Sequence, residues 1–334
     1  MSLTKLAEQY LEHYSEAVAK SAGVSDSSKK FSIQPPMETK LRQAIMLGVG
    51  FLSLLTVSPV EQIKGQVVDV GTGSLLTGRV KGGRFRGQVG LDGNTYELVK
   101  TDSGAAIPWE LIVQWANAGD KGQFIKLMNN AITQNFGLDM LKIGFNGTSI
   151  AETTDPDNNP LGQDVNKGWL TIAKEKAAAQ VLPSAKLDPT GAAEDSYKNL
   201  DSLANDLINN VIHEAHQEDP DLVVIVGRNL VAAEQHRLLE SANTPTEHKA
   251  AQSLAKTIAG KKAYTAPYFP ADGLWVTNLK NLQILQQKGT QHRKSRDEED
   301  RSQHETTWWR FEGYAIGNLD KFAAIEAVAI VDPA

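Results

Sequence analysis

The sequence has no cysteine in its 334 residues. This excludes disulfides, thiolate nucleophiles and cysteine-based zinc sites together, and it fits a reducing compartment. Long apolar runs are missing too: the longest, Ile45 to Val57, is broken by Gly48, Gly50 and Ser53 and is too short to cross a bilayer. The opening residues, MSLTKLAEQYLEHYSEA, place acids where a signal peptide carries an uninterrupted apolar core, so secretion is not expected. Nor is there a basic excess. The 34 Lys and Arg stand against 40 Asp and Glu, and the formal charge of −6 argues against a dedicated nucleic-acid reader.

Motifs for catalysis and cofactors are equally scarce. GSLLTGRV, residues 73 to 80, approaches a phosphate loop, but Arg79 stands where the lysine is needed and Val80 where the magnesium-binding hydroxyl is needed. VVIVGRNL has the strand-to-helix look of a dinucleotide fold, with Gly227 alone of the three glycines required. His213 and His216 lie three apart near a helix end, not four apart as in H-E-x-x-H, and a helix C-terminus favours histidine for dipole reasons. Glu152, Asp155 and Asp157 lack the spacing and closing glutamate of a calcium loop. No Ser/His/Asp set has local support. No catalytic residue, cofactor or metal is therefore expected.

What is present is a set of distinct pieces. Leu3, Leu6, Tyr10, Leu11, Tyr14 and Val18 recur at helical spacing, predicting a helix over 3–20. The polar stretch SAGVSDSSKKFSIQPP after it reads as an extended linker, which makes the helix separable. A second helix is predicted over 38–56. Residues 65 to 93 hold nine glycines among strand-like GQVVDV, FRGQVG and TYELVK, and predict a long projecting hairpin. Arg79, Lys81, Arg84 and Arg86 give it a basic tip, read either as a solvated loop or as a surface for docking on an acidic neighbour.

Residues 120–143 are the clearest long helix, with Asp120 as its cap. After it, AETTDPDNNPLGQDVNKGWL is turn-rich and carries no catalytic geometry. Further helices are predicted over 168–180, 197–216, 229–241 and 247–258. LVVIVG, residues 222 to 227, reads as a buried strand, and strands follow near 262–266, 274–277 and 282–286. QHRKSRDEEDRSQHE, residues 291 to 305, reads as a solvated edge or loop. TTWWRFEGYAIG and KFAAIEAVAI read as a closing hairpin, with one of Trp308 and Trp309 in the core and the other outside.

The projecting pieces have too little core to stand alone, which implies that neighbouring copies supply the missing contacts. The residues themselves carry a family resemblance. SSKKFSIQPP, VSPVEQIKGQ, IGFNGTSIAETTDPDNNPLGQDVNKGWL, QEDPDLVVIVGRNLVA and PYFPADGLWVTNLKNLQI occur in this order between residues 27 and 284. Together they resemble the major capsid protein of tailed bacteriophages, in the Peduovirus-type branch of temperate myophages.

The resemblance implies an α+β Hong Kong 97-like capsid fold. Its parts would be a removable N-terminal helix over 1–31, an N-terminal arm over 32–64 and an extended loop over 65–104. A peripheral domain with a long spine helix would span 105–189, an axial α/β domain 190–290, and C-terminal strands of the peripheral domain 291–334. The implied function is not enzymatic: self-assembly into hexamers and pentamers of an icosahedral shell enclosing double-stranded DNA, built in the bacterial host cytoplasm. Implied partners are further copies of the chain, a scaffolding protein, a maturation protease, a portal at one vertex and packaged DNA by non-specific contact, with no membrane. The family's processing pattern is matched by Ser28, Lys29, Lys30, Phe31 and Ser32, so cleavage is expected between Phe31 and Ser32, in the linker where a protease reaches the backbone. The competing readings are a cytoplasmic α/β nucleotide-binding enzyme using the crevice after Gly227, and a tail or portal component.

Overall fold

Apolar side chains at every third or fourth position form the first helix, α1 (Lys5–Ala22), which buries Ala7, Leu11, Tyr14 and Val18 and is capped by Thr4. The computed structural model describes residues 3–67, 77–86, 94–191, 193–241 and 256–331. In it α1 does not stand apart from the body: it packs on two later helices and a strand, and its buried face belongs to the main core. The linker after it is ordered and contains a short strand, β1 (Phe31–Ser32). Pro35 and Pro36 then open α2 (Pro35–Gly48), where a missing N–H costs nothing in the first turn.

The chain continues through β2 (Thr56–Val60) to β3 (Lys64–Gln66) and β4 (Thr95–Glu97), which pair antiparallel as the root of the glycine-rich hairpin. Residues 68–76 and 87–93 of that hairpin lie outside the described residues. β5 (Val99–Pro108) leads into α3 (Trp109–Ala118) and the long α4 (Lys121–Asn146). Asp120 caps α4 as expected, accepting from the Gln123 amide at 2.8 Å. Phe124, Met128, Ile132, Phe136 and Met140 form one buried stripe at four-residue spacing. Near its end the helix is buried on several sides, and a Cβ on Gly144 would lie 2.5 Å from the indole of Trp169.

Next come α5 (Trp169–Lys176), β6 (Val181–Leu187), β7 (Ser196–Tyr197) and α6 (Leu200–Asp206). The single helix expected over 197–216 is broken: α6 widens into a π-turn at Leu207–Val211 and stops before His213. β8 (Leu222–Val226) is buried at every position, as its continuous apolar run requires. α7 (Arg228–Ser241) follows. Most of the helix expected over 247–258 lies outside the described residues, and its end is strand β9 (Thr257–Ile258). β10 (Lys261–Tyr264), β11 (Leu274–Asn278) and β12 (Leu282–Gln287) fall where strands were expected.

The charged run is neither loop nor free edge. β13 (His292–Glu298) and β14 (Gln303–Ile316) make an antiparallel hairpin whose inner face buries Ser295, His304 and Thr306 in mutual hydrogen bonds. Its outward charges pair among themselves, Arg296 with Glu298 and Glu305. A six-stranded sheet results, ordered β1-β13-β14-β12-β2 with β5 also on β14.

β15 (Ala323–Ile330) corrects the expected closing hairpin. It lies in a second, seven-stranded sheet, β7-β6-β15-β11-β8-β10-β9, so the last two long strands belong to different sheets. A short turn at Leu319–Lys321 carries the chain across, and β15 then finds edges on β6 and β11. The large core sits between α1 to α5, the first sheet and one face of the second, where Val223, Ile225 and Trp275 point; a second core sits between the other face of that sheet and α6 and α7.

Candidate assembly surfaces

The hairpin root is fixed by Asn94. Its side-chain amide donates to the Ile316 and Gly317 carbonyls at 2.6 and 3.2 Å, and its Oδ1 accepts from Lys176 Nζ at 2.9 Å. Lys176 also donates to the Thr95 carbonyl, and burial holds its ammonium below the usual lysine range. One asparagine thus ties the hairpin root to α5 and to the end of β14. Beside it opens a cavity of about 790 Å³, lined by Lys64, Tyr96, Ile150, Asn166, Glu175 and Tyr314 among others. Sequence reading missed Asn94 and Lys176, because nothing local marks either residue.

The described part of the tip, residues 77–86, is exposed throughout, Arg79, Lys81, Arg84 and Arg86 included. It is a turn closed by Gly83 N donating to the Val80 carbonyl, with Gly78 against the ring of Phe85. Val80 and Phe85 are exposed alongside the four cations.

The turn-rich stretch after α4 is a self-supported surface loop. Its ends are tied where Thr148 and Ser149 amides donate to the Gln163 carbonyl at 2.8 and 3.0 Å. Inside it Asp155 accepts from the amides of Asp157 and Asn158 and from the Asn158 side chain, and these bonds, the side-chain one foremost, hold its carboxyl below the usual range. Asn166 and Trp169 pin the far end by donating to the Glu312 and Gln283 carbonyls. Glu152, Asp155 and Asp157 are left exposed on its surface.

Phe31 and Ser32 do not lie in a free linker. They pair with Arg293 and His292 on the edge of β13, with Phe31 only 9% exposed. The accessibility expected from the polar sequence is corrected: the segment is polar on one side and buried on the other. Ser28, Lys29 and Lys30 remain exposed.

The crevice after Gly227 is occupied by the chain itself. A Cβ there would stand 2.0 Å from the Ala271 carbonyl, and the Gly227 amide donates to the Gly273 carbonyl at 2.8 Å. Its glycine serves packing, not phosphate. His213 accepts from the Ala215 amide at a short turn. Trp308 is buried while Trp309 is partly exposed beneath Lys30, 5.3 Å from the ring centroid. Among the described residues no helix is long and apolar enough to cross a membrane, and no group of three or more His, Asp or Glu is placed to hold a metal.

An arm, a hairpin on a fixed root, a long helix and a two-sheet body make up a Hong Kong 97-type capsid subunit, and solved structures bear this out. A chain of the satellite phage P4 procapsid that includes the size determination (Sid) protein superposes with a TM-score of 0.75 at 25% identity, covering 98% of this chain and 99% of that one. The capsid of an empty GTA particle shares the fold at a TM-score of 0.50 and 10% identity, covering 84% and 90%. The family model for the phage major capsid protein, P2 family, matches residues 10–328. The capsid proteins of Escherichia phage P2 are 35% identical over 291 residues, 82% of this chain and 80% of theirs. The major capsid protein of Serratia phage KSP20 is 26% identical over 345 residues, 98% of this chain and 97% of its own. This chain belongs to the P2 family of phage major capsid proteins. The family consists of structural virion proteins, which build a shell from copies of themselves, and nothing supports the nucleotide-binding alternative.

Proposed function

We propose that copies of this chain form the hexamers and pentamers of an icosahedral shell around double-stranded DNA, assembled in the host cytoplasm on a scaffolding protein and around a portal at one vertex. The observation that carries this reading is the hairpin. Its exposed tip holds four cations and two apolar side chains, while its root is anchored by Asn94. A rigid root with an exposed tip suits a lever that lies across the next subunit, where cations meet acids such as Glu152, Asp155 and Asp157 of a neighbour. The arm over 32–64 would clasp another copy. Segments 65–104, 105–189, 190–290 and 291–334 would be the extended loop, peripheral, axial and returning peripheral parts, except that β6 and β15 join the axial sheet and β12 joins the peripheral one. The N-terminal segment would be removed between Phe31 and Ser32 by a maturation protease.

Negative-stain electron microscopy of sedimented material tests the reading. The full chain, expressed with a scaffolding protein, is expected to give closed shells or capsomer rings. A deletion of residues 72–90 is expected to leave a soluble folded subunit that forms neither. Normal particles from the deletion would remove the hairpin from the mechanism.

A further inference from the structure

We propose that residues 27–33 are a strap that closes the Phe31–Ser32 bond to proteases in the free subunit, and that the bond opens only when α1 lifts from the body. Its biological consequence, gated processing, rests on the reading of this bond as the processing site.

Proteases take their substrates as extended strands and engage backbone groups on both sides of the bond they cut. Here those groups are already in use. Phe31 and Ser32 pair with Arg293 and His292, the Ile33 amide donates to the Gln291 carbonyl at 2.9 Å, and the Ser27 carbonyl accepts from the Ser295 amide at 2.9 Å. The strap covers an edge of β13 whose other side is taken by β14. Side chains reinforce the backbone. Phe31 and Ile33 point inward beside Val18, Met37 and Leu41, and Ser32 faces out with its Oγ 3.2 Å from His292 Nδ1. A protease could therefore read the exposed Ser28, Lys29 and Lys30 without reaching the bond that follows.

The strap is coupled to α1. Ser27 Oγ donates to the Ser15 carbonyl at 3.4 Å, and Val18 shares a pocket wall with Phe31. Arg293, the strand partner of Phe31, also donates to the Tyr14 hydroxyl at 3.4 Å. Lifting α1 withdraws these supports together, leaving a two-residue strand that cannot hold the edge alone. Any partner that binds the buried face of α1 would thus expose the bond, so removal of the segment would follow engagement instead of preceding it.

Limited proteolysis of the full chain with chymotrypsin, which cuts after large aromatic side chains, tests the strap. Phe85, exposed at the hairpin tip, is the internal reference. The wild-type chain is expected to be cut after Phe31 at least tenfold more slowly than after Phe85. Leu11→Ala is expected to raise the Phe31 rate about tenfold or more with Phe85 unchanged. Should Leu11→Ala unfold the chain and speed both sites, Tyr14→Phe, which removes only the hydroxyl, is expected to raise the Phe31 rate severalfold by itself. Equal rates at the two sites in the wild type, or no selective gain in either variant, would overturn the strap. Particles whose subunits still begin at residue 1 or 2 by intact mass would overturn the processing reading and leave the strap result standing.

Discussion

Arg310 and Glu312 form a bidentate ion pair on alternate residues of one strand, Nε to Oε2 at 2.6 Å and Nη2 to Oε1 at 2.9 Å, with side chains 2% and 1% exposed. Period two along β14 puts both on the inner face with Trp308, whose ring lies 3.9 Å from the guanidinium carbon. Ser103 Oγ accepts from Arg310 and Gln286 donates to Glu312, so the pair binds β14 to β5 and β12. Arg310→Ala leaves a buried carboxylate unpaired and is expected to cost about 3–5 kcal/mol in urea unfolding of the soluble subunit. Arg310→Met with Glu312→Leu is expected to cost much less, since it removes both charges.

His304 sets an acid limit on stability. Burial, then the charge of Arg293, lowers its ring from 6.5 to about 4. The unfolded chain takes the proton first, so the stability owed to the neutral ring is complete above about pH 6.5 and is lost as pH falls toward 4. The difference corresponds to roughly 3 kcal/mol. Denaturation midpoints measured between pH 7 and 4 should fall steeply in the wild type and less steeply in His304→Gln.

Gly227→Ala places a methyl against the Ala271 carbonyl, at a separation no relaxed structure holds. The 270–273 turn must move, at a cost of about 1–3 kcal/mol. Thermal unfolding reads the loss, and because the glycine serves packing, no nucleotide should restore it.

Asn94→Ala removes the anchor of the hairpin root and leaves the Ile316 carbonyl without the Asn94 donor. Expected effects are a loss of roughly 1–3 kcal/mol in urea unfolding and fewer closed shells by sedimentation.

Charge reversal at the tip, with Arg79, Lys81, Arg84 and Arg86 all replaced by Glu, is expected to leave the subunit's unfolding midpoint unchanged, because these side chains are exposed. Assembly should fail at low salt, where repulsion from an acidic neighbour is least screened. Undiminished assembly would assign the tip to solvent.

Much of this molecule was legible because it is local. The cap at Asp120 and apolar residues such as Phe124, Met128, Phe136 and Leu141 announce α4, and the apolar run Leu222–Val226 announces a buried strand. The strand pairing of 64–66 with 95–97 falls at the root of the expected hairpin, and the sequence blocks carried the family. Pairing was not legible. The 291–305 run is charged, yet it is a strand, because alternate residues Ser295, His304 and Thr306 hydrogen-bond across the hairpin while Arg296, Glu298 and Glu305 pair on the outer face.

Chain order likewise suggested that β14 and β15 would pair, but each finds better edges elsewhere, β14 on β5, β12 and β13 and β15 on β6 and β11. The N-terminal segment shows the difference most plainly. By itself the sequence determined that α1 would be an amphipathic helix and that the stretch 21–36 after it would be largely polar. Only the tertiary structure decided that α1 docks on the core and that Phe31 lies beside Arg293. A strand edge offers backbone hydrogen bonds to any extended segment within reach, and which segment arrives depends on the folding of hundreds of residues between them.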